Sequence, residues 1–373
     1  MKIALQTNNL NKQPGFTLVE LMIALTISLI LLAGIITIFL GNKQTYNTTE
    51  ALGRMQESAR FALDTVTRNV REAGFLPCRL TGRIGNTLET SPAQQQAFDF
   101  FGSPLMGFDN SGAFPADFPQ GNAVGDMIPG SDGVRIIKGT GPTYTVGEHN
   151  EISARITVQG THDIMPDDVL LICDTTSATI FQATNANQGT TPIVHNTGAG
   201  STFGNCSKGL GTPTDCNSTN GNTKKFLPPS QIVRLESSIY YIGRGASPNT
   251  SSLFRRVLTA SGTLLNGTPQ EIVEGVETMQ ILYGEAPNAN GTATRFVPAN
   301  LVGDFNNVVS VRIGLLMRTA NNIGAQNDAR VYNVADANVG PNTLPVGYVP
   351  DRRQRYNFST TIKIRNRGTN PGS

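Results

Sequence analysis

From residue 21 to residue 42 the chain reads LMIALTISLILLAGIITIFLGN, without one charged side chain. About 22 residues of helix rise ~33 Å, which matches a bilayer hydrocarbon core of about 30 Å. A run this apolar is predicted to cross a membrane as a helix, because a helix satisfies its own backbone polar groups where no water is at hand. A secretory signal would carry a shorter apolar stretch directly after its basic residues, and a small-x-small cleavage site behind it; neither condition is met. Lys2 and Lys12 precede the run with no acid among them, so the positive-inside rule puts the N-terminus in the cytoplasm and the remainder outside.

Beyond Asn42 the helical pattern continues. Leu52, Met55, Ala59, Ala62, Val66, Val70 and Ala73 recur at steps of three and four, while Arg54, Glu57, Arg60, Asp64, Arg68, Arg71 and Glu72 lie between them. Gly74 and then Pro77 supply the stop. The whole helix, from Thr17 to Ala73, would span roughly 85 Å. Its outer half has too few strong core residues for a coiled coil and is expected to pack on a sheet of its own chain.

The rest reads as strands separated by turns, at 133–138, 151–159, 168–173, 178–184, 231–243, 253–258, 278–283, 308–318 and 358–364. The polar stretches 184–221 and 284–295 are expected as loops. Only 15% of residues are charged, and 39 Gly and 21 Pro mark many turns, as in an exported, sheet-dominated chain. Twenty-nine Lys and Arg stand against 27 Asp and Glu. A global basic field for nucleic acid is therefore excluded.

The stretch Gly15-Phe16-Thr17-Leu18-Val19-Glu20 before the apolar run resembles the prepilin motif of type IV pilins and type II secretion pseudopilins. The resemblance implies cleavage after Gly15 by a membrane peptidase, methylation of the new N-terminal Phe16, and pairing of the Glu20 carboxylate with the N-terminal ammonium of a neighbouring subunit. Such pairing neutralises two charges that would be costly alone in an apolar filament core. Position 37, where major pilins often carry a kinking Pro, is Thr. Further on, DGVRIIKGT, VLLICD with SATIFQAT, IYYIG with SLFRR, EIVEGVETMQILYG, VVSVRIGLLMRT and FSTTIKIRNR together resemble the PilW family of type IV pilus minor pilins, related in layout to J-type pseudopilins. The implied fold is α+β: a long N-terminal transmembrane and spine helix packed on an antiparallel, sheet-rich, pilin-like globular domain. The implied segments are a leader at 1–15, a transmembrane helix at 16–42, the periplasmic half of the spine at 43–76 and a β-rich domain at 77–373.

Four cysteines outside the cytoplasm allow three disulfide connectivities. Cys206 and Cys216 share one Gly/Thr/Asn loop and read as a local staple, which leaves Cys78 with Cys173. Zinc is the competing reading, disfavoured because no C-x2-C pair is present. His149, His162 and His195 are scattered and read as surface loop residues, and no nucleophile triad, phosphate loop or metal site can be assembled. Arg352, Arg353, Arg355, Lys363, Arg365 and Arg367 form the one charge cluster and read as a partner-binding surface or a solvated strand face rather than a nucleic-acid site. The resulting expectation is a non-enzymatic minor pilin without cofactor, anchored in the inner membrane with its domain in the periplasm and carried to the pilus tip. Its expected partners are other minor pilins, the major pilin, a tip adhesin, the prepilin peptidase and the inner-membrane assembly platform. A J-type secretion pseudopilin and a DNA- or surface-binding minor pilin are the alternatives.

Overall fold

A computed structural model describes residues 15–78, 84–89, 98, 104–110, 114, 118–197, 204–247, 250–258, 260–261, 264–265, 267–286, 291–341 and 347–366. The chain divides into two compact units, Met1–Gly53 and Arg54–Ser373, and a single α-helix, α1 (Leu18–Arg71), has residues in both.

In the first unit α1 is apolar all round from Leu21 to Gly41 and exposed there on every side. Leu21, Ile30, Ile35 and Phe39 are all exposed. This part is long and apolar enough to cross a membrane.

In the second unit α1 shows the stripe anticipated from its period: Met55, Ala59, Ala62, Val66 and Val70 are buried, and the charged positions between them face out. Small residues at 59, 62 and 73 allow a close approach to the domain. The helix ends at Arg71, a turn follows, and Gly74 takes a left-handed φ of 71°, a conformation at little cost only to glycine. This end is stitched to the Gly133–Asn150 strand: Gly74 N donates to Ile137 O at 2.9 Å, Gly139 N donates to Phe75 O at 3.0 Å, and Lys138 Nζ reaches both Glu72 and Asn69 at 2.8 Å.

The main sheet is built on the long strands Gly133–Asn150 and Gln231–Arg244, which pair antiparallel. On its other side Gln231–Arg244 pairs first with Val169–Cys173 and then with Ser251–Leu258. Val169–Cys173 in turn carries Ala178–Gln182. The sequence VLLIC shows no polar alternation because both faces are covered: Val169, Leu171 and Cys173 enter one hydrophobic cluster with Ile137, Val233 and Tyr241, while Leu170 and Ile172 enter another with Ile156, Phe181 and Ile232. A second sheet has the order Arg295–Val297, Val276–Glu285, Val308–Arg318, Arg355–Lys363, all antiparallel. The two sheets are tied by residues 130–132. Asp132 N donates to Met279 O, Ile281 N donates to the Asp132 carboxylate, and Thr278 Oγ1 donates to Gly130 O.

Most strands expected from sequence are present with edges moved by a few residues, but the one expected at 133–138 runs on to Asn150 and the one expected at 151–159 is cut to Arg155–Val158; several short ones add to them. Ile84–Asn86, Leu105–Phe108, Pro192–Val194 and the Tyr332–Val334 hairpin with Ala337–Pro341 were below the length at which a period shows. Ile84–Asn86 pairs parallel with Ala178–Gln182, and Gly340–Pro341 with Gly347–Tyr348; the other ladders are antiparallel. The stretch 184–221, expected as one loop, contains the strands Asn185–Ala186 and Pro192–Val194.

Candidate assembly sites

At the head of α1, Gly15, Phe16 and Thr17 precede the first helical residue. Thr17 is the cap. Its backbone N–H and its hydroxyl both donate to Glu20 Oε2 at 3.0 Å, and the Glu20 N–H donates back to Thr17 Oγ1 at 3.2 Å. This is a reciprocal capping box, in which two of the helix's orphan amide donors are satisfied by the side chains of the first turn. The signal for it, T-x-x-E at 17–20, was legible in the sequence, where Glu20 was assigned only an intersubunit role. The carboxylate stays exposed while it caps, and Phe16 is among the most exposed apolar residues of the chain.

The arginine cluster divides. Arg355 is fully buried, its Nε and Nη2 donating to the two oxygens of Glu277 at 2.6 and 3.0 Å and its Nη1 lying 2.9 Å from Asp351. Its guanidinium also lies over the Tyr348 ring, 4.1 Å from the centroid. Arg318 shares Glu277 at 3.3 Å, and Arg353 shares Asp351 at 3.1 Å. Arg355 and Arg353 therefore answer internal acids, and the reading of Arg355 as a partner-binding residue is corrected: it is a core ion pair. Arg352, Lys363 and Arg365 are exposed, and Arg367 lies outside the described residues. Sequence alone could not couple Arg355 to Glu277, because 78 residues separate them.

The family described as Type IV Pilus-assembly protein W matches residues 239–366, and the prokaryotic N-terminal methylation motif matches residues 10–36. The two matches bracket the capping box at one end and the second sheet with the arginine network at the other. Together the two matches support reading the chain as a PilW-type minor pilin. No curated protein and no solved structure matches it.

Cys78 is joined to Cys173 and Cys206 to Cys216. The first bridge ties the segment just after α1 to the end of the Val169–Cys173 strand, closing a loop of 95 residues, and the second closes a loop of 10. Bridges of these lengths restrict the unfolded chain, each typically contributing about 2–4 kcal/mol.

The histidines are not surface residues. His149, His162 and His195 are 1%, 4% and 0% exposed, a correction to the sequence reading, which had no means to see that residues 149 and 195 meet. Nε2 of His149 and Nε2 of His195 lie 3.2 Å apart. The Phe226 N–H donates to His149 Nδ1, so the His149 proton sits on Nε2 and is donated to His195, whose own proton is left on Nδ1. Among the described residues His195 Nδ1 has no hydrogen-bond partner. Burial, with Lys225 nearby, brings His149 down to about 4; burial, with His149 and Lys208 nearby, brings His195 down to about 3.

Both rings thus fold neutral and must be protonated more readily in the unfolded chain, so stability is full above pH 6.5 and falls as the pH drops through and below it. Asp132, pushed up to about 7 mainly by burial, works in the opposite direction over the same range. The informative quantity is therefore the difference between the wild type and His195→Phe. The wild type is expected to lose on the order of 2 kcal/mol more than the variant between pH 7.5 and 5 in denaturant unfolding. Parallel pH profiles would show that the histidine pair does not carry this acid sensitivity.

Proposed function

We propose that this minor pilin is inserted in the inner membrane as a prepilin, cut between Gly15 and Phe16, methylated on Phe16, and joined with other minor pilins in the complex that primes pilus assembly and then occupies the pilus tip. The observation that carries the reading is the fusion of a methylation-type N-terminus, capped and headed by Glu20, to a PilW-type sheet domain through one helix. An apolar helix that is exposed among the described residues fits lipid before assembly and neighbouring helices after it. Pairing Glu20 with a neighbour's Phe16 ammonium would seat each entering subunit in register. On this reading the domain lies in the periplasm, the partners are other minor pilins, the major pilin and a tip adhesin, and the prepilin peptidase and the inner-membrane platform act before assembly. The role is structural and non-catalytic.

The test is deletion of the gene, followed by counting of surface pili and assay of secreted proteins. Loss of pili with normal secretion is expected; the reverse pattern would assign the chain to a type II secretion system. Processing is checked separately by intact mass. Purified protein is expected to lack residues 1–15 and to begin with methylated Phe16, and a retained leader or a cut beyond residue 40 would remove this step.

A further inference from the structure

The Arg355–Lys363 strand closes the second sheet on one side, paired to Val308–Arg318 through nine consecutive residue pairs with no register shift. Val276–Glu285 and Val308–Arg318 are buried on both faces, whereas Tyr356, Asn357, Ser359, Thr361 and Lys363 of the outer strand are exposed. The strand reads RYNFSTTIK. It is rich in aromatic and β-branched residues, has no Pro or Gly, and has no charge between its ends.

Sheet edges of this kind are ordinarily blunted. The other edge of the same sheet, Arg295–Val297, is 3 residues long, is followed by Pro298, and carries the Arg312 guanidinium on Phe296 at 4.5 Å from the ring centroid. On the main sheet, Gln270–Glu274 carries Glu271 and Glu274 and meets a register shift at Leu253/Phe254. The Tyr332–Val334 hairpin touches this strand from the sheet's face: Asn357 Nδ2 donates to Asn333 O at 2.6 Å, and a Cβ at Gly314, the register partner of Ser359, would meet the Ala335 backbone nitrogen at 2.9 Å. Among the described residues this long edge is left with its outward N–H and C=O groups unpaired by any strand.

Charge selects the occupant. Arg352 precedes the strand, Lys363 ends it and Arg365 follows, and the Arg365 N–H donates to Arg71 O, which adds Arg71 from the end of α1. Among the described residues none of these cations forms an ion pair. A second copy of this strand would bring basic ends against basic ends in either orientation. We infer that the Arg355–Lys363 edge binds an extended segment of a different protein by β-strand addition, a segment whose strand is flanked by carboxylates. Its identification as a pilus component rests on the function proposed above.

Full-length pilin in detergent micelles is tested with a synthetic Thr/Val strand peptide bearing Asp at both ends, and with the same peptide bearing Lys. The Asp peptide is expected to slow exchange of alternate amides within 355–363 by about tenfold, and the Lys peptide is not. No slowing, equal slowing by both peptides, or slowing that depends on the pilin's own concentration without peptide would overturn the inference, the last in favour of a second copy. Thr360→Pro and Thr361→Pro turn the missing donor to opposite sides of the strand, so one variant breaks the ladder to Val308–Arg318 and the other loses only an outward donor. The variant that unfolds like wild type is expected to lose the response to the Asp peptide and to lower surface pilus number about tenfold at unchanged protein level. Loss of the peptide response with normal piliation would overturn the assignment of this edge to a pilus partner, and does so independently of the deletion result.

Discussion

Glu20→Gln is expected to reduce recovery of the pilin in sheared pili by about tenfold or more while membrane insertion and cleavage after Gly15 continue, because it removes the charge and keeps the cap. The two roles of this carboxylate are separable on physical grounds. As a cap, Glu20 accepts the Thr17 amide and hydroxyl through one oxygen, and a glutamine carbonyl can accept the same bonds. As a partner for a neighbour's ammonium it must be ionised, and a neutral amide leaves that ammonium unpaired among apolar helices, where desolvated charge is costly. Glu20→Ala removes both roles, and loss of the cap frays the first turn at a cost of about 1 kcal/mol. The informative comparison is therefore Gln against Ala in sheared fractions. If Glu20→Gln is recovered like wild type and only Glu20→Ala is lost, the carboxylate serves as a helix cap alone and the intersubunit role is abandoned.

Arg355→Ala is expected to destabilise the domain by about 3–5 kcal/mol, more than truncation of an exposed arginine such as Arg352, which belongs within about 0.5 kcal/mol of wild type. The reason lies in what remains behind. Glu277 and Asp328, 9% and 5% exposed, would keep their burial and lose a cation that meets Glu277 with two hydrogen bonds and lies 3.8 Å from Asp328. Asp328 retains Arg330 and Tyr332, and Asp351 retains Arg353, so the greater loss falls on Glu277, which keeps only the longer contact to Arg318. Arg355→Lys keeps the charge and not the fork, and is expected to fall between wild type and Ala. The double change Arg355→Met with Glu277→Leu is expected to be milder than Arg355→Ala, because it removes the stranded acid together with its partner. Denaturant midpoints for these variants check the ordering. An Arg355→Ala midpoint equal to that of Arg352→Ala would show that the buried pair contributes nothing.

Much of this protein is determined by local pattern and was readable from the chain alone. The uncharged run at 21–42 has few stable destinations other than lipid, and the steps of three and four after it admit only a helix with one buried side. The T-x-x-E start and the Gly74 stop bound that helix because each satisfies backbone groups within a few residues of itself. The apolar runs VLLIC and ATIFQ declare strands buried on both faces for the same local reason. What only the tertiary structure decided depends on residues far apart in sequence. His149 and His195 meet across 46 positions and Arg355 and Glu277 across 78, so side chains that read as solvated in isolation are core residues. The status of Arg355–Lys363 as an open edge is likewise invisible in RYNFSTTIK: a strand's own residues set its propensity and its faces, but whether a neighbour lies on one side or both is set by the packing order of strands distant in the chain.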